Sequence, residues 1–286
     1  MKMSDAFTLP RLVRLAPRTI IWAFLFSWYD WLARFSSGRP GFSSHSIVFC
    51  RVDLLGDIAL QLPVLSRLVE LAMSQGKRVS IVCGSAFVDV LADRFPDDVV
   101  IIGIDRTKFA KNPAYRFRMI RKLSSEGHVT LVQLVWSRDL LVSDSVVRAI
   151  NATSKLGLTT TYDNASKSQA AIGNRFYSEL FQPPADMKFH GSVNQWFART
   201  LADRLFDDDI GQATSMSPVA DRPARNRPVF HVFPGTSQRT SFKRWPEENF
   251  ATVIDQVIDW TGWECVIAGS ADEREIIRNT ASHVAS

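Results

Sequence analysis

Cysteine is scarce in this chain, and long apolar runs are missing. The 286 residues hold three cysteines, Cys50, Cys83 and Cys265. Their odd number and wide separation exclude a disulfide framework and point to small buried hydrophobes of a reducing compartment. His45, His128, His190, His231 and His283 share no metal-ligand spacing, so no metal site is expected. The longest aromatic and apolar run falls short of the ~20 residues that a membrane-spanning helix needs. A Gly-x-Gly-x-x-Gly turn after a first strand is absent too, and with it the signature of a nicotinamide-dependent oxidoreductase. Neither a solenoid repeat nor a low-complexity tract interrupts the chain.

What is present is enough apolar material for a folded body. With 46% hydrophobic residues, the chain can bury one large core or two modest ones. The formal net charge of +5 suits an anionic partner: nucleic acid, a phospholipid surface or a phosphorylated glycolipid. No zinc knuckle, helix-turn-helix spacing or aromatic-studded basic strand accompanies that charge, so nucleic acid is not expected among the partners.

Residues 1–45 differ from the rest. Arg11, Arg14 and Arg18 precede an aromatic run from Thr19 to Phe35, which Asp30 and Arg34 interrupt. Trp22, Trp28, Tyr29 and Trp31 favour the headgroup level of a bilayer and the arginines favour anionic lipid. The preferred expectation is therefore an amphipathic helix lying in a membrane interface. A helix packed on the protein body and a signal peptide are the alternatives, the latter without a clean small-residue cleavage site.

From Ser46 onward, apolar strands at Ser46–Val52, Val79–Cys83, Val99–Ile104 and Val129–Val135 alternate with helical segments near Phe87–Phe95 and Tyr115–Glu126. That alternation predicts an α/β domain over 46–182, with a parallel sheet wound on both faces. Pro183 and Pro184 break the pattern, a helix is expected over Val193–Phe206, and the stretch from Ser215 to Pro228 is rich in Pro, Arg and Asp. Residues 183–228 are thus read as a linker helix and interdomain linker. A second domain over 229–286 follows as strand Val229–Phe233, helix Pro246–Thr261, strand Glu264–Ala268 and helix Asp272–Ser282.

Chemistry concentrates at strand-to-helix junctions. In the first, the strand ending at Val52 leads into the turn Asp53-Leu-Leu-Gly-Asp57 and a helix from Ile58, with Pro63 in its first turns. Asp53 and Asp57 then sit at the carboxyl edge of the sheet, where open α/β folds bind ligands. Asp57 either faces that edge as a free carboxylate or caps the helix. Asp53 either joins it or orients the loop through an Asx turn. Arg51 is a candidate for an acceptor phosphate or carboxylate, or for a structural ion pair. Ser137 and Arg138, within Gln133-Leu-Val-Trp-Ser-Arg-Asp139, turn polar directly after an apolar strand and are candidates for an acceptor pocket at the same edge.

In the second junction, Phe233-Pro-Gly-Thr-Ser-Gln-Arg-Thr-Ser-Phe-Lys-Arg-Trp-Pro-Glu-Glu-Asn-Phe250 separates a strand from a helix whose start is marked by Pro246, Glu247 and Glu248. Free amides, the hydroxyls of Thr236, Ser237 and Ser241, a close-approach glycine at Gly235 and the ammonium of Lys243 suit a diphosphate without a metal. This is no P-loop, since Lys243 follows no glycine and precedes Arg244 and Trp245. Arg239 and Arg244 are lesser candidates beside Lys243, and Trp245 reads as a packing residue at the helix start.

Together, the segments Arg51-Val-Asp-Leu-Leu-Gly-Asp-Ile-Ala-Leu-Gln-Leu-Pro-Val-Leu65 and Pro-Gly…Lys-Arg-Trp-Pro-Glu-Glu-Asn-Phe resemble the bacterial glycosyltransferase family that contains the ADP-heptose:lipopolysaccharide heptosyltransferases. The resemblance runs from about Ser46 to the last residue. It implies a GT-B fold: two Rossmann-like α/β domains with parallel sheets facing a cleft, the second incomplete here. The implied reaction moves a sugar, heptose first among candidates, from a nucleotide-activated donor such as ADP-heptose to lipopolysaccharide or a related surface glycan. It would invert the anomeric centre, need no metal or further cofactor, and act on an anionic glycolipid or glycan at the cytoplasmic membrane face. Asp57 matches the family's Gly-Asp catalytic aspartate, the base that takes the acceptor hydroxyl's proton. Lys243 matches its phosphate-contacting lysine. Ala268-Gly-Ser-Ala-Asp-Glu273 looks like its Gly-x-x-x-Glu turn, which makes Glu273 the ribose candidate, against a plain first-turn glutamate.

Two departures accompany the resemblance. Family members continue past two βα units with an Asp-Ser/Gly-Gly-Pro-x-His-Leu-Ala-like turn that does not occur before Ser286, and His190-Gly191 stands where His-Glu is usual. A truncated, non-catalytic remnant that binds nucleotide or membrane is the alternative expectation.

Overall fold

A computed structural model describes residues 26–37, 41–42, 45–53, 55–208, 227–236, 241–242 and 244–285. The chain divides into two compact units, 1–216 and 217–286. The first unit begins, among the described residues, with helix α1 over 26–35. Strand β1 (Gly41–Phe42), β2 (Ser46–Arg51), α2 (Leu55–Ser74), β3 (Arg78–Gly84), α3 (Val88–Ala92) and β4 (Val100–Ile104) follow. Then come α4 (Arg106–Lys111), α5 (Pro113–Ser124), β5 (Glu126–Gln133), α6 (Ser143–Ala149), β6 (Asn151–Leu158), α7 (Lys167–Asn174), β7 (Glu179–Phe181) and α8 (His190–Phe206).

The sheet is parallel, in the order β4-β3-β2-β5-β6-β7, with β1 paired to β5. Chain order runs outward from the middle: β2 to β4 on one side, β5 to β7 on the other. The junction between β2 and β5 is therefore the topological switch point, and its carboxyl edge receives the loops after both strands.

Side-chain alternation divides the core. From β2, Ile47 and Phe49 enter one apolar cluster while Val48, Cys50 and Val52 enter the other, as the two-residue period of a strand requires. The first cluster lies under α2, whose Ile58, Leu62, Leu65, Leu68 and Ala72 follow helical spacing, and under α8 with Val193, Phe197 and Leu201. Helix α8, expected within a linker, is thus a wall of the first unit's core. The second cluster takes Ile120 and Leu123 from α5, Val146 and Val147 from α6, and Ala33 from α1.

Helix α1 makes contacts that the preferred sequence expectation did not include. It packs on the body, as the alternative reading had it, and its two charges point inward. Asp30 is 1% exposed; its carboxylate oxygens accept from Arg116 Nε and Nη2, each at 2.6 Å, and from Arg148. Arg116 is itself fully buried, donating also to Leu141 O at 2.8 Å and stacking over Phe26 and Phe109. Arg34 donates to Asn151 Oδ1. The outward face carries Trp28, Trp31 and Phe35, each more than half exposed, with Trp31 stacked on Phe35. Residues 1–25, with Arg11, Arg14, Arg18 and Trp22, lie outside the described residues. No helix among the described residues is long and apolar enough to cross a membrane.

The second unit is smaller. Strand β8 (Val229–Val232) pairs in parallel with β9 (Glu264–Ile267). Helix α9 (Glu247–Thr261) connects them and ends on Gly262 in the left-handed region, φ 66°, a C-terminal role that glycine serves without a Cβ penalty. A 3-10 turn at Ala271–Glu273 leads into α10 (Arg274–His283). Of the stretch read as an interdomain linker, residues 215–226 lie outside the described residues.

Removing one partner of a buried ion pair strands the other, at about 3–5 kcal/mol. Asp30→Ala is expected to lower the unfolding free energy by that amount in urea titrations of the whole chain. Pairing Asp30→Leu with Arg116→Met should recover much of the loss. An unchanged midpoint for Asp30→Ala would show that α1 does not hold the body.

Candidate functional site

At the switch point, β2 delivers Arg51, Val52 and Asp53, and α2 begins at Leu55. Asp57 is the third residue of that helix, in its first turn. It is not the N-cap, so the capping reading fails by position, and the helix dipole favours a carboxylate there. Asp57 is half-buried and forms no ion pair among the described residues.

Asp53, by contrast, is held between two guanidiniums. Arg51 Nη2 and Arg106 Nη1 each lie 3.6 Å from its carboxylate oxygens. Arg106, the first residue of α4, reaches on to Asp139 Oδ2 at 2.9 Å. Asp139 in turn accepts from Val142 N at 2.7 Å and fixes the loop after β5. Arg51 is 4% exposed. Its Nη1 donates to Gln61 Oε1 at 2.8 Å and to Leu134 O at 2.7 Å, tying α2 to the exit of β5. Burial pushes its guanidinium below the ordinary arginine value, while the carboxylates of Asp53 and Asp57 act in the opposite sense. Its bonding is that of a structural residue, the second of the two readings the sequence left open.

Arg138 differs more from expectation. It has no exposed surface, and both of its Nη groups are engaged within the fold. Nη1 donates to Asp144 Oδ1 at 2.8 Å and Nη2 to Asn174 Oδ1 at 2.6 Å, and the group stacks over Tyr177 at 4.4 Å. Tyr177 Oη donates to the same Asp144 oxygen at 2.8 Å. Burial raises the Asp144 carboxyl above its ordinary value, and Arg138 opposes that shift. A Cβ on Gly173 would lie 1.9 Å from Asp144 Oδ2, so only glycine admits the carboxylate. Ser137 stays at the edge, where its backbone oxygen and Oγ accept from Asn164 Nδ2 at 3.1 and 2.9 Å.

The sequence reading did not single out Asp139, Arg106, Asp144 or Gly173. Asp139 directly follows Ser137 and Arg138, which was the available signal; the partners of the others are set only by the fold.

In the second unit, two loops at the carboxyl ends of β8 and β9 meet on Glu273. Its Oε2 accepts from Ser270 N at 2.7 Å and Ser270 Oγ at 2.9 Å, closing a capping box. Those bonds hold the carboxyl below the usual glutamate range. The same carboxylate covers Gly235: a Cβ there would lie 2.3 Å from Glu273 Oε1. Thr236 is gripped by Arg244, whose Nε donates to Oγ1 at 3.1 Å and Nη2 to the backbone oxygen at 2.9 Å. Ser241 is exposed. Trp245 packs edge-on against Phe250 at 5.3 Å. Ser237, Arg239 and Lys243 lie outside the described residues. No cluster of three or more metal-binding side chains occurs among the described residues.

Residues 137–286 match the family model of glycosyltransferase family 9 (heptosyltransferase). Among solved structures, the chain is similar to E. coli heptosyltransferase WaaC with ADP, at 15% identity over 84% of this chain and 73% of that one, TM-score 0.56. A glycosyl transferase family 9 protein from Veillonella parvula is 14% identical over 85% and 68%, TM-score 0.59. E. coli ADP-heptose LPS heptosyltransferase II is 14% identical over 83% and 68%, TM-score 0.50. No curated protein sequence matches. The shared fold is α/β of GT-B type.

The tightness of Gly173 against Asp144 makes a prediction. Gly173→Ala should break the Arg138–Asp144 pair and destabilise the chain by about 3 kcal/mol, seen as a lower Tm in calorimetry. Arg138→Ala should lose a similar amount. If Arg138→Ala instead melts like the parent, the buried pair is not what holds this loop.

Proposed function

We propose, for a chain that belongs to glycosyltransferase family 9 and is a glycosyltransferase, that it transfers heptose, with inversion and without a metal, from an ADP-activated donor to a lipopolysaccharide or related surface-glycan acceptor. One observation carries this reading. The strand order puts Asp57 at the switch point, on the first turn of α2, without an ion-pair partner among the described residues. The neighbouring Asp53 is held by two arginines. A base must be free to take a proton from the acceptor hydroxyl, and Asp57 meets that condition where Asp53 does not.

The donor side rests on the second unit. Glu273, held by Ser270 and packed over Gly235, would accept from ribose hydroxyls, and the loop that carries Gly235 and Thr236 would bring backbone amides to the diphosphate. Lys243 would neutralise the departing diphosphate, with Ser237 and Ser241 adding hydroxyls. That WaaC was solved with ADP supports an adenine nucleotide. The exposed aromatic face of α1, with Trp28, Trp31 and Phe35, supports work at the cytoplasmic face of a membrane, where an anionic glycolipid acceptor resides.

Two measurements test the assignment. Asp57→Ala should lower kcat by about a hundredfold or more while leaving donor KM nearly unchanged, because a base acts in the transition state; undiminished turnover removes Asp57 from the mechanism. Lys243→Ala should weaken ADP binding roughly ten- to a hundredfold in calorimetry, the worth of one charge-assisted contact. Binding to the parent should persist in EDTA, and affinity that vanishes with chelator would refute a metal-free site.

A further inference from the structure

Three adjacent strands of the first unit, β5, β6 and β7, leave the sheet at the same carboxyl edge as β2. Their exits enclose a cavity of about 360 Å³ lined by Trp136, the run Thr159 to Tyr162, Asn174 and Gln182. Trp136 follows β5 by three residues, Thr159 follows β6 directly, and Gln182 follows β7 directly. The volume is at the lower end of that of small-ligand sites, roughly 300–1,000 Å³.

The lining has an unusual chemistry for a protein of net charge +5. Among the described residues, no charged side chain borders the cavity. The cation on the loop after β5, Arg138, is wholly buried, with Nη1 donating to Asp144 and Nη2 to Asn174. What borders the cavity instead is one indole, one phenol, three threonines and two carboxamides. Several of these groups are tied in place from behind. Thr160 Oγ1 accepts from Arg138 N at 2.9 Å and donates to Thr161 O at 2.8 Å. Thr159 Oγ1 donates to Gln182 Oε1 at 2.7 Å. Asn174 Oδ1 is fixed by Arg138, which leaves its Nδ2 as a donor. Thr161 Oγ1 is buried and has no hydrogen-bond partner among the described residues. An unpaired buried hydroxyl costs free energy until something meets it. Trp136 is held edge-on by His190 at 5.1 Å, so its indole is positioned before a ligand arrives.

The geometry points to a subsite for an uncharged sugar ring. A pyranose presents a face of C–H groups, which an indole covers, and a rim of hydroxyls that each donate and accept, which threonine and carboxamide groups answer. A phosphate or carboxylate would find no cation here, and a purely apolar ligand would leave the hydroxyls and amides unpaired. The assignment to an acceptor rests on the proposed transferase reading. Strands lie about 4.8 Å apart, so the cavity spans roughly one to three strand spacings from the loop that bears Asp57. The ring bound there is therefore a neutral sugar neighbouring the one that carries the reacting hydroxyl.

Saturation-transfer NMR on the whole chain tests this, with methyl α-D-glucopyranoside, methyl α-D-mannopyranoside and methyl β-maltoside as probes and glucose 6-phosphate as the charged comparison. At least one neutral glycoside should receive saturation through its ring C–H protons, and glucose 6-phosphate should bind no better than its neutral counterpart. Trp136→Ala should weaken the neutral ligand about tenfold or more, and Thr161→Val and Gln182→Ala each by about three- to tenfold, as expected for one hydrogen bond. The last two variants keep the test decisive if Trp136→Ala melts early. No saturation of any neutral glycoside, preference for the phosphate, or unaltered binding in both Thr161→Val and Gln182→Ala would overturn the subsite. ADP calorimetry on the same sample separates the two readings. ADP bound without glycoside defeats the subsite alone; glycoside bound without ADP defeats the donor assignment and leaves the subsite standing.

Discussion

Strand β2 is buried at all six positions from Ser46 to Arg51, and that constraint organises the first unit. A parallel strand flanked by two neighbours has no solvent face, so both of its surfaces must be covered by helices. Helices α2 and α8 cover one, and α1, α5 and α6 cover the other. Polar side chains are then forced to the strand ends. Arg51 is the extreme case, a guanidinium still inside the core at the last strand position. It can stay there only because Gln61, the carbonyl of Leu134 and Asp53 surround it. Those bonds place the start of α2 against the exit of β5, which is how a packing requirement becomes the geometry of a site.

The same logic sets the charge at the edge. Three arginines, Arg51, Arg106 and Arg138, meet three aspartates, Asp53, Asp139 and Asp144. The positive balance of the whole chain is therefore not displayed here, although composition alone would have placed it beside an anionic acceptor. Charges paired this way are worth little as net stability, since desolvation offsets attraction. Their effect is positional: Arg106 links the turn after β2 to the loop after β5, and Arg138 closes that loop onto α7 through Asn174.

What the sequence revealed and what it hid follow from this. Strands β2 and β3 are buried on both sides and are continuous apolar runs, so they could be read directly; β4 and β5 were also legible as apolar runs, although Val100 and Val129 are exposed. Strand β6 could not, because Asn151 to Lys155 are only half-buried or exposed and only its last three residues enter the core. The short helices α4 and α6 carry too few turns for a period to show. Asp30 and Arg34 looked like interruptions that keep an aromatic helix at a lipid surface; they are its inward face, because Arg116, 86 residues away, supplies the partner of Asp30. No local pattern discloses a partner at that distance. Asp57 was legible because a carboxylate after a Gly turn at a strand exit is a local feature. Arg138 was misjudged for the opposite reason: polarity after an apolar strand shows that a residue leaves the sheet, and not that it reaches solvent.

Glu273 shows how a capping role and a binding role coexist in one side chain. The sequence set them against each other, yet a carboxylate has two oxygens. Oε2 is taken by the amide and hydroxyl of Ser270, which close the turn before α10. Oε1 lies over Gly235, on the loop after the neighbouring strand, so close that any Cβ there would collide with it. The cap therefore fixes the side chain at the meeting point of two loops. A long side chain that is already immobilised loses little rotamer entropy when a ligand arrives. Its bonds to Ser270 also hold its carboxyl below the usual glutamate range, which favours the ionised, accepting form. A ribose diol, with two hydroxyl donors, asks for an acceptor in this state, and a freely rotating glutamate at a helix start would serve it less well. The helix cap is thus the condition for the ribose contact proposed here rather than its rival.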